Sequence, residues 1–414
     1  MDISSSIIYF SLFLSLYFEV FLLITFFEPK KKLGTLSTKS NLALESLSYP
    51  SATIVVPCWN EEKTVAGTIQ SLLDMRYPTD KLKVVVVDDG STDNTYAKIS
   101  EFADNSQVTI IKKENGGKHT AMNIALEACN TELIGCLDAD SFVSEDSLMH
   151  AAQMFNKAHV SAVTPGMRVH NPKNALQYMQ KAEYILSIFM RKSFALMGSI
   201  FVTPGPFSIF RTEAVRTVGK WEHAHGTEDL EMGLRMQHAG MIIENEPKAA
   251  VLTTTPHSVA GLYKQRVRWT HGFLRNLWDY RTMLLSRKHG NLGLLVLPFG
   301  ILSILSALGI FGLFLYKTVH YLTDKIVTLI DTGFAFNAID FSVFYISTTT
   351  LTFLTIAILV LTLVLIQLGK NLVTEKEYMG KDILAYFAIY GFVAPLWLTG
   401  ATAKAITGLN VKWR

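Results

Sequence analysis

The stretch Lys83-Val84-Val85-Val86-Val87-Asp88-Asp89-Gly90-Ser91, followed by Thr92-Asp93-Asn94, carries the fold class. Four consecutive valines favour an extended strand, because β-branched side chains pack well on a pleated surface. Asp-Gly-Ser then supplies turn chemistry, and Thr92-Asp93-Asn94 can cap a helix running towards Phe102. Outward from this unit the alternation repeats. Ala52 to Val56 is a β-branched run followed by a helical stretch from near Glu61. Val108 to Ile111 precedes a helix from about His119, and Leu133 to Leu137 forms a fourth strand. Strand and helix in turn imply a mainly parallel, Rossmann-like sheet with helices on both faces. Ligands of such sheets bind at the carboxyl ends of the strands, which is where acidic residues gather here.

This α/β unit is not the whole molecule. Hydrophobic residues make up 49% of the 414 positions and charged residues only 18%, against roughly 25% charged in soluble proteins. Mean hydropathy is +0.26. So much apolar surface excludes a disordered chain, and a net charge of +3 lacks the basic footprint of a nucleic-acid binder.

The apolar excess falls in four runs: Ile7 to Phe27 (with Glu19), Leu292 to Tyr316, Phe341 to Leu368, and Ile383 to Ala403 (with Pro395). Each reaches the ~20 residues that a bilayer-spanning helix needs. The first is flanked wrongly for a signal peptide. Asp2 leads it, and Pro29-Lys30-Lys31-Lys32 follows where a small-residue cleavage site would stand. Those lysines place its trailing end in the cytoplasm, so residues from about 30 to 290 face inwards, in agreement with Arg287 and Lys288. Four spans then put the C-terminus outside, against its basic Lys404, Lys412 and Arg414, while the loop from Asn371 to Lys381 is nearly neutral. Either the charge rule fails there or one segment does not fully cross. Cys58, Cys129 and Cys136 show no metal-type spacing and read as reduced thiols.

Four short stations carry the chemistry. Asp88-Asp89 closes the second strand, and its bland reading is a turn. Asp138-Ala139-Asp140 closes the fourth; two carboxylates one residue apart can share a hard divalent cation with phosphate oxygens, or simply form a solvated loop or cap the helix after Ser144. Thr227-Glu228-Asp229 precedes the helical stretch Leu230 to His238, where acidic residues also serve as caps. Gln265-Arg266-Val267-Arg268-Trp269, taken alone, is an ordinary solvated or membrane-surface face.

In this order the four stations resemble the signature of membrane-integrated family 2 glycosyltransferases, over about residues 50 to 290, with membrane segments on both sides. The resemblance implies a GT-A α/β domain, a nucleotide-sugar donor, a divalent metal (Mg2+ or Mn2+) and inversion at the anomeric carbon. It implies that Pro57, Asn60, Glu61 and Asp89, with Asp88, hold the nucleoside, that Asp138 contacts the nucleotide, and that Asp140 together with Asp138 binds the metal. Asp229, beside Glu228, is implied as the general base for the acceptor hydroxyl. Arg268 and Arg266, with Gln265, would hold the departing diphosphate, and Trp269 would stack on the acceptor sugar. Gly116-Gly117-Lys118 opens a helix and brings Lys118 towards phosphate, although its glycine spacing is not that of a P-loop. His225 lies close enough in sequence to Asp229 to be a further metal ligand, although a lone histidine is more often structural.

From Leu262 to Arg287, basic residues interleave with Trp269, Phe273 and Trp278, which suggests a helix in the headgroup region; Ala182 to Met197 reads similarly, with a packed helix as the plainer alternative. The expected organisation is therefore an N-terminal membrane helix (1–30), the GT-A domain (50–257), amphipathic interfacial helices (258–290), and a C-terminal region with about three spans (291–414). Gln265 to Gly272, with Glu246-Pro247 and His257, looks closest to poly-N-acetylglucosamine synthases. Thr203 to Arg211 instead resembles the Gly-Pro segment of hyaluronan and chitin-type synthases, from which Thr203-Pro204 departs. UDP-N-acetylglucosamine is the first expectation for the donor. The expected enzyme is a metal-dependent processive synthase of a β-linked polysaccharide, multi-pass in the plasma membrane with its catalytic domain in the cytoplasm. The alternatives are transfer of one sugar to a membrane lipid, as in ceramide glucosyltransferase-like members, and a non-catalytic nucleotide-sugar sensor or transport component. Expected partners are the UDP-sugar, a carbohydrate or lipid acceptor and the bilayer, with no nucleic acid; a small membrane accessory subunit would be a separate polypeptide.

Overall fold

The computed structural model describes residues 3–33, 49–333, 349–373 and 380–409. The start of the third apolar run (341–348), part of the loop before Lys381 (374–379), and Lys412 and Arg414 lie outside the described residues, as do the side chains of Lys30 to Lys32.

Eight strands form one sheet: β1 Ala52–Cys58, β2 Leu82–Asp89, β3 Val108–Lys113, β4 Leu133–Cys136, β5 Ser141–Val143, β6 Val160–Val169, β7 Ile209–Arg211 and β8 Ile242–Thr253, in the order β3-β2-β1-β4-β7-β6-β8-β5. The parallel block β3-β2-β1-β4 pairs Val56 with Val86 and Cys58 with Asp88, so the first two strands end level with each other. Beyond β4 the sheet changes character. β7 runs antiparallel to both β4 and β6, and β6 returns parallel to β8.

The helices are α1 Ile3–Leu33, α2 Val65–Leu73, α3 Thr95–Ser100, α4 Lys118–Glu127, α5 Ser147–Met154, α6 Ala175–Leu196, α7 Thr212–Thr217, α8 Glu228–His238, α9 Val259–Asp279, α10 Leu297–Thr332, α11 Thr350–Leu372 and α12 Lys381–Thr407. Successive strand side chains point to opposite faces, and the core divides accordingly. Ile54, Val56, Val84 and Val86 pack with Ile69 and Leu72 of α2 and Leu148 of α5. Val55, Val85 and Val87 pack with Met122 and Leu126 of α4, Phe189 of α6 and Leu234 of α8. Helices thus cover both faces, which is why β1 and β2 need continuous apolar runs.

Two helices start where the local sequence did not suggest. α2 begins at Val65, because Thr64 N and Val65 N both bond back to Glu61 O and make residues 61–64 a turn. α6 begins at Ala175, capped by Asn174 Oδ1, which accepts from Gln177 N at 2.9 Å.

Among the described residues, four helices are long and apolar enough to cross a membrane: Ser4–Glu28, Leu292–Asp331, Thr350–Leu372 and Lys381–Thr407. The second continues past Tyr316, where its uncharged run ends. Polar contacts tie these helices together. Thr362 of α11 donates to Glu19 of α1 at 2.6 Å, and the buried Lys370 of α11 pairs with Asp382 of α12 at 2.7 Å. α12 lies along the α/β domain: Trp397 and Ala401 share a cluster with Leu176 and Met179 of α6 and Leu262 of α9, and Gly400 abuts the Tyr263 hydroxyl.

Candidate active site

The antiparallel pairing of β4 with β7 builds the centre of the site. β4 runs out to Asp138 at the same end where β7 comes in, so the turn before β7 sits beside that carboxylate. Phe207 N donates to Cys136 O at 2.6 Å, Cys136 N to Ser208 O at 3.2 Å, and Ser208 Oγ to Pro204 O at 2.6 Å. Gly205 occupies the tightest point. A β-carbon there would stand 2.4 Å from Lys118 Nζ and 3.0 Å from Asp138 Oδ2, so any side chain would displace these two charged groups. Gly205 N donates to Asp229 Oδ2 at 3.2 Å, while Thr203 donates to Asp229 O through its N at 3.1 Å and its Oγ1 at 2.7 Å. The start of α4, the end of β4, the turn at 203–205 and the start of α8 therefore converge on one recess, which Lys118, Asp138 and Asp229 share.

Lys118 Nζ donates to Asp138 Oδ1 at 2.5 Å. Burial works against its charge, but Asp138, then Cys136, Glu228 and Asp229, hold the ammonium well above the usual lysine range. Glu228 is buried, and that burial raises its carboxyl despite the pull of Lys118. One largely buried cation thus stands among several carboxylates.

Asp140 lies two residues beyond Asp138, immediately before β5. Burial, then the charges of Asp138 and Glu61, push its carboxyl up to about 7. Its Oδ1 accepts from Ser141 Oγ at 3.1 Å. Among the described residues no cluster of three or more His, Cys, Asp or Glu side chains gathers round one point. Two carboxylates completed by phosphate oxygens and water are nevertheless an ordinary donor set for Mg2+ or Mn2+, and excess negative charge at Asp140 suits such a cation.

The ends of β1 and β2 are knitted together. Asn60, at φ 56°, donates its N to Ser91 Oγ at 3.0 Å and accepts from Thr92 N at 2.8 Å; Pro57 lies opposite Val87. Asp88 is fully buried. Its Oδ1 accepts from Ser91 N at 3.1 Å, and its Oδ2 has no partner among the described residues. Asp89 accepts from Gly116 N at 3.0 Å, Gly117 N at 2.8 Å and Lys113, so it shapes the loop that presents Lys118.

The last station divides between two neighbours. Arg266 turns to α6, pairing with Glu183 at 2.8 Å and lying 4.5 Å from the centre of the Trp269 ring. Burial raises the Glu183 carboxyl, and Arg266 opposes the rise. Arg268 Nη1 donates to Gly226 O at 2.8 Å, against the turn before α8. Gln265 Oε1 is buried with no partner among the described residues. His225 pairs with Asp279 at 2.8 Å rather than joining the carboxylates. Sequence reasoning missed Glu183, whose only signal was an acid on an apolar helix, and it read Gly205 for sugar choice alone.

An α/β sheet with acidic strand ends, an acidic helix start at Glu228-Asp229 and an Arg-Trp helix beside apolar helices is the arrangement of the glycosyltransferase class. The chain belongs to glycosyltransferase like family 2, whose model matches residues 50–272. It is a multi-pass membrane enzyme with a GT-A-like domain. It is 28% identical over 410 residues to the poly-β-1,6-N-acetyl-D-glucosamine synthase of Staphylococcus epidermidis, covering 97% of this chain and 92% of that protein. To the synthase of the same name from Staphylococcus aureus it is 29% identical over 275 residues, 66% of each chain. The fold matches the mannosyltransferase PcManGT from Pyrobaculum calidifontis, solved with GDP-Man and Mn2+, at TM-score 0.62 and 17% identity, covering 97% of this chain and 99% of that one.

Proposed function

We propose that this protein uses UDP-N-acetylglucosamine to extend a β-linked polysaccharide at the cytoplasmic face of the cell membrane and exports it between its own membrane helices. The observation that carries this reading is similarity to a poly-β-1,6-N-acetyl-D-glucosamine synthase across 97% of the chain, membrane helices included.

Asp229 takes the proton of the acceptor hydroxyl while that oxygen attacks the anomeric carbon from the face opposite UDP. The bond to the diphosphate oxygen breaks in the same displacement, and the configuration inverts. Gly205 N and Leu230 N, at 3.2 and 3.0 Å, fix the two Asp229 oxygens in the orientation this requires. Lys118, Arg266 and Arg268 supply positive charge for the leaving diphosphate. Asp138 and Asp140 would hold a divalent cation, which would supply charge neutralisation for that diphosphate. Asp88, Asp89, Pro57, Asn60 and Glu61 seat the nucleoside, Gln265 reaches the donor, Glu228 borders the base, and Trp269 carries the terminal sugar of the acceptor.

The test is incubation of purified protein with a panel of UDP-sugars, following UDP release and product size. UDP release with UDP-N-acetylglucosamine, and a polymer retained above a size filter, is the expected result. A single glycolipid product, or turnover with another UDP-sugar only, overturns it.

A further inference from the structure

The turn that delivers Asp229 is strained. Ala224, His225 and Gly226 are consecutive residues with φ of 45°, 54° and 75°, and two of them carry a β-carbon. Left-handed backbone is disfavoured for a residue with a β-carbon and persists only where the surroundings over-determine it. Here the surroundings are one face of α9. Arg268, Gly272, Asn276 and Asp279 are spaced by four, four and three residues, which places them on a single helical stripe. Arg268 holds Gly226 O, and Asp279 holds the His225 ring at 2.8 Å. Gly272 lies so close to Thr227 that a β-carbon would stand 2.2 Å from its Oγ1. Asn276, 1% exposed, spends its amide on this turn: Nδ2 donates to Thr227 Oγ1 at 2.9 Å and to Ala224 O at 3.3 Å. Thr227 O in turn accepts from Leu230 N and Glu231 N, both at 3.1 Å, in the first turn of α8.

We propose that Asn276 is a positioning residue, acting through Thr227 to set where the Asp229 carboxylate stands. The inference rests on the reading of Asp229 as the base. It adds a mechanical link: the helix that carries Trp269 towards the acceptor also grips the turn from which the base emerges, so acceptor platform and base move as one piece.

The experiment compares Asn276→Asp, which keeps shape but removes both donors, and Asp279→Asn, at a side chain 52% exposed, in purified full-length protein. Each variant is measured for kcat, for UDP affinity and for thermal stability. Asn276→Asp is expected to lower kcat about 10²-fold, the scale of an ångström-sized misplacement, with UDP affinity unchanged. Asp279→Asn, which removes the charge from the His225 tether but keeps a hydrogen-bonding group there, is expected to lower kcat by less. In an Asp229→Asn background, adding Asn276→Asp is expected to cost nothing further, because both changes act on one group. Wild-type kcat in both single variants overturns the proposal. So does an additive loss in the double variant, or a loss of UDP affinity and stability in step with kcat. Full activity of Asp229→Asn alone is a different failure, since it removes the proposed function and not merely the clamp.

Discussion

Lys118 Nζ donates to Asp138 Oδ1 at 2.5 Å, and the pair closes over the bare Cα of Gly205. One cation from the start of α4 and one carboxylate just beyond β4 are thus held in register by the absence of a side chain on a third segment.

Gly205→Ala is the sharpest test of that packing. The added methyl must displace the Lys118 ammonium or the Asp138 carboxylate, so UDP release is expected to fall about 10²-fold. Circular dichroism and melting temperature should be nearly unchanged, because the crowding is confined to the site.

Lys118→Met removes the ammonium but keeps most of the stem. A hydrogen bond to a charged group contributes about 1.5–3 kcal/mol, so UDP affinity, measured by calorimetry, is expected to weaken by one to two orders of magnitude. An unchanged affinity would show that Lys118 serves Asp138 alone.

Chelation is expected to abolish turnover, and added Mn2+ or Mg2+ to restore it. Asp140→Asn should retain the fold but require far more metal for half-maximal UDP release. Activity that survives both chelation and Asp140→Asn would remove the metal from the proposed site.

Glu183 anchors Arg266 beneath Trp269. Removing one member of a buried pair leaves an uncompensated charge and costs about 3–5 kcal/mol, so Glu183→Ala should lower the melting temperature visibly. Glu183→Gln, which keeps a hydrogen-bond acceptor, should be milder in stability while still shortening the polysaccharide on a sizing column. Equal product lengths in wild type and Glu183→Gln would show that the Glu183–Arg266 pair does not support the Trp269 platform.

The contacts of α12 bear on the basic C-terminus that a four-span count would place outside. Gly400 abuts Tyr263 of α9, and the charge of Lys404 reaches His271 on the same helix. The far end of α12 thus stays beside the catalytic domain. A cysteine at Gly408 and one at the exposed Glu213 are expected to react with an impermeant maleimide from the same side of the membrane; opposite sides would establish a full crossing. The native thiols are buried.

The parallel half of the sheet was legible because Ala52–Cys58 and Leu82–Asp89 are buried on both faces, which forces unbroken β-branched runs. The antiparallel half was not. β5 and β7 are three residues each, and β8 contains Glu244, Glu246 and Lys248, so neither periodicity nor propensity marks them. The acidic stations could be read because each sits at an element boundary, a local property. The contacts Glu183 to Arg266, Asn276 to Thr227 and Gly205 to Lys118 join distant positions in the chain and depend on how helices settle after the sheet is built. His225 illustrates the same limit: its nearness to Asp229 in sequence gave no hint that its ring turns to Asp279.

The β4–β7 pairing has a kinetic corollary. Its hydrogen bonds weld Asp138 and the Gly205 turn into a single rigid floor, so no hinge can open between them to admit the donor or to discharge spent UDP. The loop at 114–117 and the unit made of the 224–227 turn and α9 both lie outside the sheet. Opening to admit donor or discharge UDP is therefore expected in those two elements, and loosening the grip of α9 on the three left-handed residues 224–226 is expected to change the rate of UDP release.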